Sequence, residues 1–237
     1  MAALLLGLAG LAASAIGIAV QVMPRRFSAS QRQQIMSWEA LHRWRDLTAG
    51  QIFPRTLSYK LPGYAFDATR GLDLTARRIA IGSQTGCAAA TEPAAAAVLR
   101  RQGCQEMLRA TYTDATRSLV VTIGVAVMPS PQAVLTSSAA LSGHSSLNPG
   151  VRPLAFPGTL AAEFGPRQRQ LSVAVKGGNY LVMSVAGYTD GRPTAPVSSD
   201  TYADDEMLSF TMGLAHAVAA PLSQPVARPA CPGTPGC

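Results

Sequence analysis

The chain has 237 residues, which is enough for one domain and a terminal segment, and a domain of that size buries a core without a metal or cofactor. Charged residues make up 14% and hydrophobic residues 48%, and the formal net charge is +7. The arginines behind this charge form no run longer than two and are not interleaved with aromatic residues, which argues against a nucleic-acid partner.

The first predicted element is an apolar transmembrane helix over residues 1–24. Residues 2–23 carry no charged side chain, and at about 1.5 Å per helical residue they span roughly 33 Å, close to the ~30 Å hydrocarbon core of a bilayer. Pro24 ends the helix because it has no amide hydrogen, and Arg25–Arg26 follow where the headgroups begin. A cleavable signal peptide is the alternative, but the run has no basic leader and continues past the small residues at 13–15.

Two opposing indications bear on the side of the membrane where the rest of the chain lies. Arginines follow the apolar run and none precedes it, so the positive-inside rule taken alone would place the domain in the cytoplasm. The even number of cysteines indicates an oxidising compartment instead. We expect the domain to be extracytoplasmic, at the cell membrane.

Residues 25–50 are predicted to form a juxtamembrane helix. Ser28 or Ser30 opens it, and it runs to about Leu47 with Trp38 on its apolar stripe. This stripe either docks on the domain or rests against the membrane interface.

Residues 51–222 are predicted to form one extracytoplasmic domain of the α+β class. Segments rich in β-forming residues, separated by short turn sequences, predict two hairpins, and capped apolar runs predict helices. This combination indicates an antiparallel sheet with helices packed on one face. The predicted extended segments are 51–64, 77–82, 106–113, 119–128, 170–176 and 180–188, and the predicted helices are 94–101, 132–141 and 203–219.

The four cysteines, Cys87, Cys104, Cys231 and Cys237, are predicted to form disulfides. Proximity pairs Cys87 with Cys104 across a short helix, and Cys231 with Cys237 in a small loop that closes the Pro-rich tail of residues 223–237. Other pairings remain open. The spacings fit no common zinc site, which needs close ligand pairs.

Three aspartates and two histidines are the candidates for chemistry: Asp190, Asp204, Asp205, His144 and His216. Asp204 and Asp205 fall in the first turn of the last predicted helix, where negative charge complements the helix dipole, so capping accounts for them. The histidines have no local carboxylate or serine in a catalytic pattern. We therefore predict no catalytic residue, no cofactor and no metal ligand.

Several stretches carry a family resemblance, namely residues 44–54, 110–114, 187–193, 202–207 and 231–237. Through them the chain resembles uncharacterised single-pass, membrane-anchored proteins of actinobacteria, although no lipobox cysteine follows its apolar run. The resemblance implies a location in the cell envelope and disulfide-bonded cysteines, and it implies no activity.

These observations predict a non-catalytic binding or interaction module of the cell envelope, held to the membrane by its N-terminal helix and binding another envelope protein or an extracellular ligand. One alternative is an envelope hydrolase or ligand-processing enzyme that draws a non-local site from the aspartates and histidines named above. The other is a purely structural envelope component.

Overall fold

The computed structural model describes residues 27–61, 71–142, 148–194 and 201–224. The chain divides into two compact units, one of residues 1–39 and 226–237 and the other of Ala40–Pro225. The predicted anchor at 1–24 and the predicted loop at 231–237 lie outside the described residues. Among the described helices, none combines the length and the hydropathy needed to cross a membrane.

The predicted helix after the apolar run is confirmed as α1, Ala29–Asp46. It begins with reciprocal hydrogen bonds, because the Ser28 hydroxyl accepts from the Gln31 amide at 3.2 Å and the Gln31 side chain accepts from the Ser28 amide at 2.9 Å. Such a pair satisfies two backbone donors that have no partner inside the helix.

The second unit is built on a six-stranded antiparallel sheet in the order β1-β2-β3-β4-β6-β5, so the α+β class is confirmed. Both predicted hairpins are present, with β3 paired to β4 and β5 to β6, and β4 and β6 join the hairpins at the centre. The strands are β1 Thr56–Leu61, β2 Leu72–Ile81, β3 Glu106–Asp114, β4 Leu119–Val127, β5 Arg169–Gly177 and β6 Tyr180–Tyr188. The remaining helices are α2 Ala49–Ile52, α3 Cys87–Ala90, α4 Pro93–Arg101, α5 Pro131–Ala140 and α6 Thr201–Ser223, with a 3₁₀ turn at Pro166–Gln168.

Helices cover both faces of the sheet, so the prediction that they pack on one face is wrong. Every residue of β4 is buried, with Val121 and Ile123 in one hydrophobic cluster and Val120 and Ala126 in another. Because neighbouring strand residues point to opposite faces, the two clusters lie on opposite sides of the sheet. A strand buried on both sides reads as one continuous apolar run, as β4 does.

The first face, defined by the cluster that contains Val121 and Ile123, is covered by α6. Gly213 lets this helix approach β1 closely, since a Cβ at that position would lie 2.7 Å from the Cβ of Tyr59. The ring of Tyr59 meets Phe210 edge to face at 5.2 Å between centroids. This packing holds β1 to the domain through one of its two sides.

The second face, defined by the cluster that contains Val120 and Ala126, is covered by α3, α4, α5 and the segment 151–164. This cover reaches β3, β4 and β6, and stops before β1. The side chains of β1 and β2 on this side are polar and solvent-exposed, and we call them the bare face. The bare face consists of Thr56, Ser58, Lys60, Asp73, Thr75 and Arg77.

Candidate functional site

Asp190 follows β6 in an exposed turn, where it makes an ion pair with Arg192. The Arg192 guanidinium donates to Asp190 through Nε at 2.8 Å and Nη2 at 2.5 Å, and it stacks 4.2 Å from the centre of the Tyr188 ring. These hydrogen bonds lower the pKa of the Asp190 carboxyl. A carboxylate held ionised on the surface stabilises a turn and is a poor general acid.

The other predicted candidates form no cluster in the described part of the chain. His216 is exposed on α6, and no hydrogen bond or ion pair in the described ranges joins it to Asp190. His144 and the side chains of Asp204 and Asp205 lie outside the described residues. No group of three or more metal-ligating side chains occurs within the described ranges.

The predicted disulfide between Cys87 and Cys104 is confirmed. It links the first residue of α3 to the segment before β3, with 6.2 Å between the two Cα atoms. The bridge encloses α3 and α4, and so it fastens part of the cover to the second face of the sheet. Cys231 and Cys237 lie outside the described residues.

A groove lies beside β2, and we call it the arginine groove. It has a volume of about 670 Å³ and lies next to Thr56, where β1 begins and β2 continues beyond its pairing with β1. The lining residues are Arg55, Thr56, Arg77, Arg78, Ile79, Ala80 and Ile81.

Within the described ranges, the arginine groove exposes a strand edge that pairs with no further strand. The last pair between β1 and β2 is Thr56 with Arg77, and beyond it the Arg78 amide donates to the Arg55 carbonyl at 2.9 Å. From there β2 pairs only with β3 in the described ranges, with a register shift at Ile79. The outer side of Ile79–Ile81 therefore presents backbone groups to the groove, in the way that open sheet edges recruit another strand.

The charge of the groove is positive. Arg55 and Arg77 are exposed, and within the described ranges neither of them forms an ion pair with a carboxylate. Asp114 lies nearby in the register but accepts the Leu119 amide at 2.7 Å and the Thr116 amide at 3.0 Å, which holds it in the β3–β4 turn. The lining contains no acidic residue.

The wall that carries Arg55 is held in place by hydrogen bonds to successive backbone carbonyls. The Arg78 guanidinium donates to the carbonyl of Phe53, and the Tyr112 hydroxyl donates to the carbonyl of Pro54 at 2.9 Å. Burial raises the pKa of Tyr112, which keeps this hydroxyl protonated as a donor. The groove is therefore formed before any ligand arrives, which lowers the entropy cost of binding.

Sequence reasoning missed the arginine groove. Arg55 and Arg77 are far apart in the chain, and only the register that places Thr56 opposite Arg77 brings them together. The available signal was the adjacent pair Arg77–Arg78 at the start of a predicted strand, because alternation there directs one guanidinium to each side of the sheet.

The fold and the groove define the protein as an α+β domain with an antiparallel sheet and a basic groove at one open strand edge. No protein-family model, no curated protein and no solved structure matches the chain. Function is therefore inferred from the groove.

Proposed function

We propose that this chain is a non-catalytic binding module of the cell envelope, and that the arginine groove takes an extended acidic segment of an envelope protein. The observation that carries the proposal is the unpaired edge of Ile79–Ile81 beside the exposed guanidinium groups of Arg55 and Arg77. A peptide that adds to a sheet edge gains main-chain hydrogen bonds, and charged side chains beside the edge select its sequence.

The cellular setting is part of the same proposal. Residues 1–24 supply a membrane anchor, and the Cys87–Cys104 bridge is typical of a domain that folds in an oxidising compartment. An anchored module needs no high affinity for one partner molecule, because confinement to the envelope raises the effective concentration of both.

A binding assay on the detergent-solubilised full-length chain tests the groove. The probe is a short labelled peptide in which glutamate alternates with valine, and its binding is followed by fluorescence anisotropy. We expect the double variant Arg55→Glu, Arg77→Glu to weaken binding by about tenfold or more, since each reversal replaces attraction with repulsion. Adding salt is expected to weaken wild-type binding as well.

The matched control is Arg100→Glu, Arg101→Glu, which makes the same change in net charge on the exposed last turn of α4. We expect this variant to bind like the wild type. Equal weakening in both variants, or no binding of the peptide to the wild type, contradicts the groove proposal. Equally strong binding of heparin through the same two arginines contradicts the peptide as ligand and identifies a general polyanion site.

The compartment is tested separately by labelling intact cells with a membrane-impermeant thiol reagent, with and without reductant. An extracytoplasmic disulfide predicts labelling of Cys87 and Cys104 only after reduction. Labelling that requires lysis but no reductant would place free thiols in the cytoplasm and contradict the envelope location.

A further inference from the structure

A second basic feature lies on the second face of the sheet, apart from the residues that line the arginine groove. Arg109 is half-buried on β3, two residues beyond the fully buried Met107 and directly opposite Gly124 of β4. Because Gly124 has no side chain, the space above it is filled by Val151 and by the sulfur of Met107, which would lie 2.9 and 3.0 Å from a Cβ at that position. The segment that contains Val151 therefore packs closely over β4, beside the position of Arg109.

This guanidinium lacks the partners that a buried cation requires. Its Nε atom is buried without a hydrogen-bond partner, and no carboxylate in the described ranges forms an ion pair with it. Burying a charged donor without an acceptor costs free energy, and natural structures rarely leave such a group unmatched.

A second unmatched polar atom belongs to Thr85, which lies opposite Met107, two residues from Arg109 along β3. The Thr85 hydroxyl is buried without a partner, and Thr85 forms an isolated antiparallel bridge with Met107. Residues opposite each other in an antiparallel pair point to the same face, and so do residues two apart in one strand. Thr85, Met107 and Arg109 thus share the second face.

A second cation, Arg152, lies close enough to Arg109 to act on its charge. Arg152 is exposed and is held by two hydrogen bonds, from its Nε to the Thr91 carbonyl at 2.7 Å and from its amide to the Ala90 carbonyl at 2.8 Å. Burial and the charge of Arg152 both lower the pKa of Arg109. Two neighbouring guanidinium groups repel each other unless an anion lies between them.

We propose that Arg109, Arg152 and the hydroxyl of Thr85 form a binding site for one small oxyanion of the phosphate or sulfate type. Such an anion accepts hydrogen bonds from guanidinium forks and from a hydroxyl at once, and its charge offsets the repulsion between the arginines. The site is open on the Arg152 side, so the anion is either a free ion or the terminal group of a larger molecule.

Thermal unfolding of the full-length chain tests this site, with inorganic phosphate, sulfate and chloride compared at matched pH and ionic strength. A ligand that binds only the folded state raises the melting temperature, by an amount that grows with the logarithm of its concentration divided by its Kd. We expect phosphate and sulfate to stabilise the wild type and chloride not to do so. Phenyl phosphate, run in parallel, separates the two sources: tighter binding than inorganic phosphate indicates a terminal group, and weaker binding indicates a free ion.

The variants Arg109→Gln and Arg152→Gln are each expected to weaken phosphate affinity by about tenfold. Arg109→Lys keeps the positive charge but loses the paired N–H donors of the guanidinium. Its phosphate affinity should lie between those of the wild type and Arg109→Gln. Thr85→Val removes only the hydroxyl and should produce a smaller loss. The control Arg100→Gln removes an exposed charge from the last turn of α4 and should leave the affinity unchanged.

Stabilisation by chloride equal to that by phosphate, or undiminished phosphate binding in both Arg109→Gln and Arg152→Gln, would overturn the proposal. If Arg109→Gln fails to fold, the Arg152→Gln and Thr85→Val variants still test the oxyanion site. The groove variant Arg55→Glu, Arg77→Glu should retain the phosphate effect, so this inference and the proposed peptide groove can fail independently.

Discussion

The second face of the sheet has a covered half and a bare half, and they treat polar groups in opposite ways. In the covered half, Thr111 and Thr122 are fully buried but hydrogen-bonded to each other at 2.9 Å. The Thr111 hydroxyl also donates to the Leu154 carbonyl at 2.8 Å, and the Leu154 amide donates to the Thr122 hydroxyl at 2.9 Å. The hydroxyls of Thr111 and Thr122 are therefore satisfied within the protein, whereas the Thr85 hydroxyl and Arg109 Nε on the same face are not.

In the bare half, polar groups face solvent and have weaker partners. Lys60 and Asp73 lie across β1 and β2 at 3.7 Å with most of both side chains exposed, and Arg77 on the same face has no carboxylate partner in the described ranges. The arginine groove includes Thr56 and Arg77 of the bare half, whereas Arg109 of the proposed oxyanion site lies on β3, two residues from the fully buried Met107 of the covered half.

The largest expected difference between the halves is in core packing. Leu181 of β6 is fully buried in the covered half, and Leu181→Ala is expected to lower the free energy of unfolding by about 2–5 kcal/mol through lost burial and a cavity. Ser58→Ala in the bare half should change it by less than about 0.5 kcal/mol. Urea unfolding at constant m-value measures both, and similar losses would show that the bare face is covered in solution.

The two halves also differ in the strength of an ion pair. Glu92 accepts from Arg169 at 2.8 Å and from the Gly150 amide at 3.0 Å, with side-chain exposures of 19% for Glu92 and 13% for Arg169. Glu92→Gln removes the charge that neutralises Arg169, and we expect a loss of roughly 1.5–3 kcal/mol.

The matched change in the bare half is Asp73→Asn, which removes the negative charge from the exposed ion pair with Lys60. It should cost about 0–1 kcal/mol, and the cost should vanish in high salt. Urea titrations at two salt concentrations measure both variants. A larger loss for Asp73→Asn than for Glu92→Gln would contradict the division between the halves.

Much of the fold follows from local patterns in the sequence. The hairpin from β3 to β4 was predicted because turn residues separate two β-forming runs, and the cysteine spacing predicted the Cys87–Cys104 bridge. One local signal was overlooked. Thr48 and Gln51 form a reciprocal capping box that starts α2, so the segment predicted to be extended from residue 51 begins as a helical turn.

The arrangement of layers and the basic sites depends on long-range pairing, which local patterns do not contain. The continuous apolar run of β4 indicates burial on both sides. Which segment covers each side, however, depends on contacts between residues that are far apart in the sequence. Arg109 and Arg152 belong to distant segments that meet over the sheet, where Leu154 is hydrogen-bonded to Thr111 of β3 and Thr122 of β4. Isolated arginines in the sequence therefore gave no indication of the proposed oxyanion site.

The smallest expected effect on stability concerns the first face of the sheet. On this face helices pack against β1 as well as against the strands that are covered on the second face. Burial raises the pKa of Tyr59 to about 12, with further contributions from the charges of Asp114 and Glu206. Because the folded state disfavours the phenolate while the unfolded chain ionises near pH 10, the resulting stability is complete below about pH 10 and is lost as the pH rises to about 12. Tyr59→Phe keeps the contact with Phe210 and removes the ionisation, so it should shift alkaline unfolding to higher pH.

The shift should be partial, because burial also raises the pKa of Tyr112 and Tyr180. Unfolding followed by circular dichroism across this range, with phenolate absorbance recorded in parallel, measures it. Ser58→Ala, one residue away on the bare face, is the control and should unfold at the wild-type pH. An unchanged alkaline transition in Tyr59→Phe would mean that the inner side of β1 is as accessible to water as its outer side, and the contrast between the two sides of this strand would then be lost.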